Sequence, residues 1–334
     1  MKRFAVVILN WNGAEDTVDC VRSIRRLDPN AVPLIIDNGS VDDSVAVIKR
    51  ELTAEGMRLA SGPARDVRSH KDLSNTDVLL VEGTENLGFS AGCNLGLDIA
   101  AALAFDVSVF LNNDTEIEGG SLSSIVARLV QGESDVFAVL PRIMIHGTDR
   151  IWNCGGTISR LGFRRYHFAD SKIGSVSLPH ELRCSFFTGC CFAVRTTEFA
   201  ARGGFTERFF FGEEDFELSL WMKDNGYGAV CLTDAVIHHK VSSSISRAAG
   251  NVQASKVFVH YLNRFIHMRL RMGRVVWTAW LAAYLPYVGL LLVRSGIVKC
   301  LEIPRFILTL LAQASRQDTV TRMNFESILR KQPW

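Results

Sequence analysis

Phe4-Ala5-Val6-Val7-Ile8-Leu9-Asn10-Trp11-Asn12-Gly13 decides the fold. Six apolar residues run without alternation and stop at a turn-like polar stretch. A strand with one wet face alternates apolar and polar residues, whereas a strand without alternation is buried on both faces. The same pattern repeats outward from this run. Val18, Val21 and Ile24, with Cys20 and Leu27 beside them, keep helical spacing. Residues 34–36 are a second short run, ending in Asp37-Asn38-Gly39-Ser40. Residues 45–52 are again helical, 78–81 a third strand, 91–104 a third helix, and 107–111 a fourth strand ending in Asn112-Asn113-Asp114. Short buried strands with helices between them predict an α/β fold, a mostly parallel sheet flanked by helices. Ligands of open α/β sheets bind beyond the carboxyl ends of the strands. Here those ends carry Asn10, Asp37, Asn86 and Asp114. The polar stretch 58–76 reads as a surface insertion.

Later in the chain, residues 186–194 read as a buried strand. Residues 214–225 read as a helix with Leu218, Trp221 and Met222 on one face and Gly226 at its end, and 236–239 as a short strand.

The chain has 334 residues, 48% apolar and 22% charged, which excludes a disordered chain and a disulfide miniprotein. Its formal net charge of +2 conceals an asymmetry. Residues 1–239 hold 23 basic and 32 acidic side chains, net −9, and residues 240–334 hold 14 basic and 3 acidic, net +11. The basic segment contains a helical stretch, 252–272, and then 19 uncharged residues, 275–293, between Arg274 and Arg294. At ~1.5 Å per residue that run is about 28 Å long, close to the hydrocarbon thickness of a bilayer. Trp277, Trp280, Tyr284 and Tyr287 are residue types that favour the membrane interface. A helical, membrane-associating tail is expected over 241–334, behind a domain over 1–240. The tail would span, dip into or lie on the bilayer; the alternative is a hydrophobic helix packed against the rest of the protein or a second subunit. Cations that flank an apolar run favour anionic lipid over nucleic acid as the partner. The eight cysteines contain no C-x-x-C pair, and only six apolar residues separate Met1-Lys2-Arg3 from Asn10. Free buried thiols in a reducing, cytoplasmic compartment are expected.

Four motifs carry chemistry. Asp37 at a strand end suits hydrogen bonds from a base or ribose, and equally a turn cap. Asp114, beside Asn112 and Asn113, suits a divalent cation held against a diphosphate, since Mg²⁺ needs only one or two protein carboxylates; a helix cap is the other reading. Glu213-Glu214-Asp215 follows Phe209-Phe210-Phe211-Gly212 at a helix start. Acids there suit the helix dipole, and an enclosed one among like charges suits a general base. His238-His239 offers a metal ligand or a structural pair.

In order, these pieces resemble the family 2 glycosyltransferases of the GT-A fold, in the inverting, non-processive branch of rhamnosyltransferases and galactofuranosyltransferases. The matching pieces are residues 6–13, 36–44, 85–96, 111–115 and 203–210, Glu214-Asp215 with Gly226-Tyr227, and His238-His239 ahead of Ser242, Ser243 and Ser244. The resemblance implies a Rossmann-like nucleotide-binding half, 1–118, and an acceptor half, 119–240. It implies that Asp37 contacts the donor's base, that Asn10 and Asn12 line the nucleotide pocket, and that Asn86, Gly88 and Asn94 close over the donor, with Asn113 beside the diphosphate. Asp114 and His238 would hold Mg²⁺ or Mn²⁺, Asp215 would be the catalytic base with Glu214 beside it, and Thr188, Gly189 and Phe211 would shape the acceptor side. No Q-x-x-R-W follows Glu214-Asp215, so addition of one sugar or a few is expected instead of processive synthesis. The implied activity is transfer from a dTDP-rhamnose-like or UDP-linked donor to a lipid-linked or polysaccharide hydroxyl in cell-envelope glycan synthesis, on the cytoplasmic face of the inner membrane. Two other readings stand beside it. One is an inactive, membrane-associated binding or assembly subunit. The other is a nucleotidyltransferase, which would need a Gly-rich, Lys-containing N-terminal loop that residues 10–13 do not offer.

Overall fold

The computed structural model describes residues 2–240 and 250–334. The chain divides into two compact units, Met1–Thr206 with Leu218–Val241 and Glu207–Glu217 with Ser242–Trp334. The expected boundary near 240 falls at the undescribed residues, and Ser242, Ser243 and Ser244 lie outside the described residues. The segment 207–217 groups with the C-terminal helices and not with the sequence on either side of it.

The first unit begins β1 (Phe4–Asn10), α1 (Ala14–Leu27), β2 (Ala31–Asp37), α2 (Ser44–Ala54), β3 (Leu59–Gly62), α3 (Ala64–Arg68), β4 (Val78–Glu82), α4 (Phe89–Ala102) and β5 (Val107–Asn112). It continues β6 (Thr115–Ile117), α5 (Ser121–Gln131), β7 (Val136–Ile145), β8 (Ile151–Asn153), β9 (Gly156–Ile158), β10 (Arg164–Tyr166), β11 (Glu181–Cys184), β12 (Cys191–Arg195) and α6 (Thr196–Arg202). From Leu218 the helix α7 (Glu214–Asp224) belongs to it, followed by β13 (Gly228–His239). The main sheet runs β11-β13-β7-β12-β5-β1-β2-β4-β3. From β5 to β3 all pairs are parallel; beyond β5 the sheet is mixed, with β12 antiparallel to both β5 and β7.

The unalternating strands are buried on both faces, as their sequence requires. Phe4, Val6 and Ile8 join one core cluster with Val18, Val21 and Ile24 of α1, while Ala5 and Val7 join the other with Leu97 and Ile99 of α4. Acids Glu15 and Asp16 open α1, and Arg25 and Arg26 close it, complementing its dipole.

Two expectations are corrected here. Residues 58–76 are not wholly an insertion, because β3 pairs with β4 as a parallel edge strand. Its edge position leaves all four of its residues at least partly exposed. Within 186–194 only the end is strand, β12. Residues 186–190 stay largely buried but bend, and Cys190 O accepts from Asn112 N at 2.8 Å. Burial without periodicity does not distinguish a strand from a buried turn.

The second unit contains the start of α7, then α8 (Gly250–Met272), α9 (Arg274–Ser295), α10 (Ile303–Arg316) and α11 (Arg322–Lys331). The three later helices pack on α8. Arg269 of α8 donates to Ala314 O at 2.8 Å and Gln317 O at 2.7 Å, satisfying carbonyls at the end of α10. Among the described residues, α9 is one helix long and apolar enough, by length and composition, to cross a membrane. Yet Trp277, Trp280, Leu281, Tyr284, Val288 and Leu292 form a stripe buried within the unit, with Trp280 and Tyr284 stacked at 4.4 Å. Three of the four aromatics expected at a membrane interface are therefore core residues, and Tyr287 alone of the four is exposed. All eight cysteines are free and seven are buried; Cys300 is exposed, against the expectation of burial.

Candidate active site

In the first unit the polar residues gather at the carboxyl edge of the parallel strands. Sheet register sets Asn10 opposite Asp37, and Leu9 opposite Asn112. Asp37 is buried, and its carboxylate is held from three directions. Asn10 Nδ2 donates to Oδ1 at 2.8 Å, Ser40 Oγ donates to Oδ1 at 2.6 Å, and Ser40 N donates to Oδ2 at 3.1 Å. Asn10 is fully buried and its own Oδ1 accepts from Thr17 Oγ1 at 2.7 Å. Its amide is thus used on both sides, one of them to orient Asp37. Asn12, at φ 51°, accepts from Val41 N at 2.9 Å and shapes the loop above.

Sequence reasoning missed Asn38 as a site residue. It is buried, donates to Asn86 Oδ1 at 3.1 Å and Gly88 O at 3.0 Å, and accepts from Leu87 N at 3.0 Å. It ties the Asp37 turn to the 86–88 loop. Its place next to Asp37 was the available signal. Gly39 must be glycine, because its φ is 67° and a Cβ would fall 2.3 Å from the Glu85 carbonyl carbon. Gly88, at φ 88°, caps α4 in a conformation that β-carbons resist. Asn94 faces elsewhere. Its Nδ2 donates to Phe205 O at 2.9 Å and its Oδ1 accepts from Phe205 N at 2.8 Å. This pins residue 205 over an aromatic cluster, Phe110, Phe192, Phe199 and Phe205, with centroids 5.0 to 5.9 Å apart. Asn94 therefore supports the fold where donor contact was expected.

The Asn112–Thr115 turn is braced from below. Asn113 Nδ2 donates to Thr17 Oγ1 at 3.0 Å, and the Cys20 Sγ lies 3.6 Å from Thr115 Oγ1. Burial pushes the Cys20 thiol up to about 12, so it stays neutral and inert. The turn presents Asp114, largely buried, with its Oδ1 3.1 Å from His239 Nε2. His238 does not meet Asp114. Successive residues of a strand face opposite ways, and His238 Nε2 pairs instead with Glu118 Oε1 at 2.9 Å. His239 stands against Trp152, ring centroids 4.8 Å apart, and its Nδ1 is buried without a hydrogen-bond partner. A carboxylate and an imidazole converging in a largely buried site suit a divalent ion whose remaining ligands come from phosphate and water. Among the described residues no three or more His, Cys, Asp or Glu converge as a metal cage. Thr188 is buried, with a hydroxyl that has no partner, two residues before the Cys190 carbonyl bonded to Asn112. Gly189 lies in the turn between them.

The second unit holds the acids. Glu213 stands at φ 79°, and its carbonyl accepts from Glu217 N at 2.9 Å, starting α7. Its side chain is buried, and Oε1 accepts from Arg264 Nε at 2.8 Å and pairs with His267 Nδ1 at 3.0 Å. Burial acts to raise the Glu213 carboxyl, but Arg264 and His267 outweigh it and hold it down at about 2. Glu214 goes the other way. Burial, then the charges of Asp215 and Glu213, push it well above the carboxylate range, to about 8, and its Oε2 is buried without a partner. Asp215 lies in the first turn of α7 and within the field of Arg264. Phe211 is half-exposed, and its carbonyl accepts from Asn263 Nδ2 at 2.8 Å.

Comparison with known proteins gives the family and the fold. The N-acetylglucosaminyl-diphospho-decaprenol L-rhamnosyltransferase of Mycobacterium tuberculosis is 32% identical over 91 residues, 27% of this chain. The chain spans only 28% of that relative's length. Among solved structures, the mannosyltransferase PcManGT of Pyrobaculum calidifontis, in complex with GDP-Man and Mn2+, superposes with a TM-score of 0.53 at 16% identity, over 95% of this chain and 86% of its own. GalNAc-T7 with UDP, GalNAc and Mn2+ gives 0.54 at 15%, over 78% and 51%. S. aureus TarS 1-349 gives 0.50 at 13%, over 99% and 82%. At such identities the likeness is one of fold, the GT-A type of α/β sheet flanked by helices. The sequence profile of glycosyl transferase family 2 matches residues 5–195, more than half of the chain, and the protein belongs to that family.

Proposed function

We propose that this protein is an inverting glycosyltransferase. It moves one sugar from a nucleoside diphosphate to a hydroxyl of a lipid-linked or polysaccharide acceptor in cell-envelope glycan synthesis. The observation that carries this reading is one sheet edge with two prepared carboxylates, Asp37 locked by Asn10 and Ser40, and Asp114 paired with His239. Asp37 keeps acceptor capacity on Oδ2 for the N–H of a base or the O–H of a ribose. Asp114 and His239 would hold a divalent cation, Mg²⁺ or Mn²⁺, and when bound that ion neutralises charge on the departing diphosphate. The histidine assigned to this role is His239, in place of His238.

The base is Asp215. Two neighbouring carboxyls whose surroundings push them apart divide their roles. Glu214, raised to about 8, keeps its proton near neutrality, so the role of base goes to its neighbour Asp215. Asp215 takes the proton of the acceptor hydroxyl. The new C–O bond forms on the anomeric carbon as its bond to phosphate breaks, the electron pair leaving with the diphosphate and the configuration inverting. Thr188 offers a spare buried hydroxyl toward a sugar, beside Gly189, and Phe211 an exposed aromatic face. A lipid-linked acceptor is supported by the Mycobacterium tuberculosis relative, whose name specifies a diphospho-decaprenol substrate.

The tail docks on anionic bilayer at the cytoplasmic face. The outer side of α9 exposes Val275, Val276, Tyr287, Leu290 and Val293, and Arg274 and Arg294 stand at its ends. An apolar face with terminal cations suits a helix lying in the interface better than a single span, since the opposite stripe is already buried in protein. The decisive experiment screens UDP- and dTDP-linked donors with Mg²⁺ or Mn²⁺ and polyprenyl-linked acceptors in anionic vesicles, scoring released nucleoside diphosphate. Release coupled to acceptor glycosylation supports the reading. Donor binding without turnover under every condition would make the protein a binding subunit instead.

A further inference from the structure

Residues 241–334 read from sequence as a membrane tail, but their helix α8 does something else. Asn263, Arg264 and His267 share one face of α8 and grip the segment that carries Asp215. Asn263 Nδ2 donates to Phe211 O at 2.8 Å. Arg264 Nε and His267 Nδ1 both meet Glu213 Oε1, at 2.8 and 3.0 Å. The Arg264 guanidinium lies over the Phe216 ring at 3.1 Å, and the His267 ring stands edge-on to Phe216 at 5.6 Å. Every one of these residues belongs to the second unit. The gripped residues, 211, 213 and 216, bracket Asp215 on both sides. Glu213 is also one of six non-glycine residues at positive φ among those described, and it directly follows Gly212 at φ 81°. A non-glycine residue in that conformation persists only where its surroundings impose it. Here the surroundings are two buried donors on its carboxylate.

We infer that Arg264 and His267, acting through Glu213, are positioning residues for the catalytic base. They hold the left-handed turn that starts α7 and so fix where Asp215 presents its carboxylate. The C-terminal helices are then part of the catalytic machinery as well as its anchor. This rests on Asp215 being the base. The titratable and charged groups around Asp215 in this unit are Glu213, Glu214, Glu217, Arg264, His267 and Tyr284, whose hydroxyl lies 3.4 Å from Arg264 Nη1.

The test measures kcat, KM for the donor and the acid limb of the pH–rate profile in full-length Arg264→Met, Glu213→Gln and Asp215→Asn proteins. Arg264→Met should lower kcat about 100-fold with donor KM nearly unchanged, the cost of a misplaced reacting group. It should also raise the acid limb by about one unit, because a cation near Asp215 is gone. Glu213→Gln keeps the shape and an acceptor oxygen, so it remains informative if Arg264→Met fails to fold. It should move the acid limb downward, since Asp215 loses a like charge beside it. A purely structural role would lower kcat in step with the folded fraction and leave the limb in place. If Asp215→Asn is inactive while neither other variant moves the limb, the positioning role is wrong and the base assignment stands. If Asp215→Asn stays fully active, the base assignment falls and takes this inference with it.

Discussion

The polar sheet edge of the first unit and the acidic turn of the second are built by opposite means. At the edge, Asp37 is held by Asn10 from the paired strand and by Ser40 three residues on. Its restraints are neutral hydrogen bonds, and its contacts are local or one strand away. At the acidic turn, Glu213 is held by a guanidinium and an imidazole 51 and 54 residues later in the chain. One arrangement follows from strand geometry; the other depends on a buried ion network between distant segments. Chemistry that needs only donors at a strand end can be written into short motifs, whereas a carboxylate that must stay buried and ionised, as Glu213 does, requires a charge brought from elsewhere.

The largest effect expected tests that contrast at its chemical end. Asp215→Asn should cut transfer by about 100- to 10,000-fold, the usual worth of a general base, while donor affinity measured by calorimetry stays near wild type. A matching loss in donor affinity would move Asp215 from chemistry to binding.

The next effect tests the buried network itself. Removing one partner from a buried ion pair costs about 3–5 kcal/mol, so Arg264→Met should be strongly destabilised in thermal or denaturant unfolding. The pH dependence has a definite sign. Glu213 sits at about 2 in the folded protein against an ordinary 4.5, so the folded state binds its proton less readily than the unfolded chain. The stability it contributes is present above 4.5 and is lost as pH falls from there through 2. Glu214, raised from 4.5 to about 8, contributes in the opposite sense, fully below 4.5 and progressively less as pH rises through 8. Melting temperatures followed from pH 5 down to pH 2 should therefore fall less steeply in Glu213→Gln than in wild type; parallel curves would show that the carboxylate is not held down by its partners.

The same contrast explains what could be read in advance. The parallel strands, their helices and the polar carboxyl edge were legible because unalternating runs and strand-end motifs obey local rules. Asp37 and Asp114 were singled out that way; Asn10 and Asn94 were named too, but the amide of each is spent on protein groups. Whether an asparagine amide faces a ligand or a backbone 111 residues further along the chain, as Asn94 does, is a matter of tertiary packing. The kinship of segment 207–217 with the C-terminal helices was invisible, because no periodicity marks Glu213 and Arg264 as partners. The aromatic stripe of α9 misled for a related reason, since Trp277, Trp280 and Tyr284 suit a membrane interface and a helical core equally well by composition.

A smaller effect separates two adjacent histidines. His239→Ala should weaken Mn²⁺ binding at least about tenfold, read by titration calorimetry with nucleoside diphosphate present. His238→Ala should leave that affinity unchanged, because its ring pairs with Glu118 on the other side of the strand. Equal losses from both would mean that β13 does not keep its two faces distinct at this end.

The smallest effect concerns Asn94, where the motif and the structure part company. Both ends of its amide are spent on the backbone of Phe205, above the packed rings of Phe110, Phe192 and Phe199. Truncation to alanine removes two hydrogen bonds and leaves a backbone N–H and C=O to find other partners, worth about 2 kcal/mol. Asn94→Ala should therefore lower the unfolding midpoint yet bind donor as wild type does. If it instead loses donor affinity at unchanged stability, Asn94 contacts the donor after all, and the proposed donor site extends one helical turn further than the strand ends.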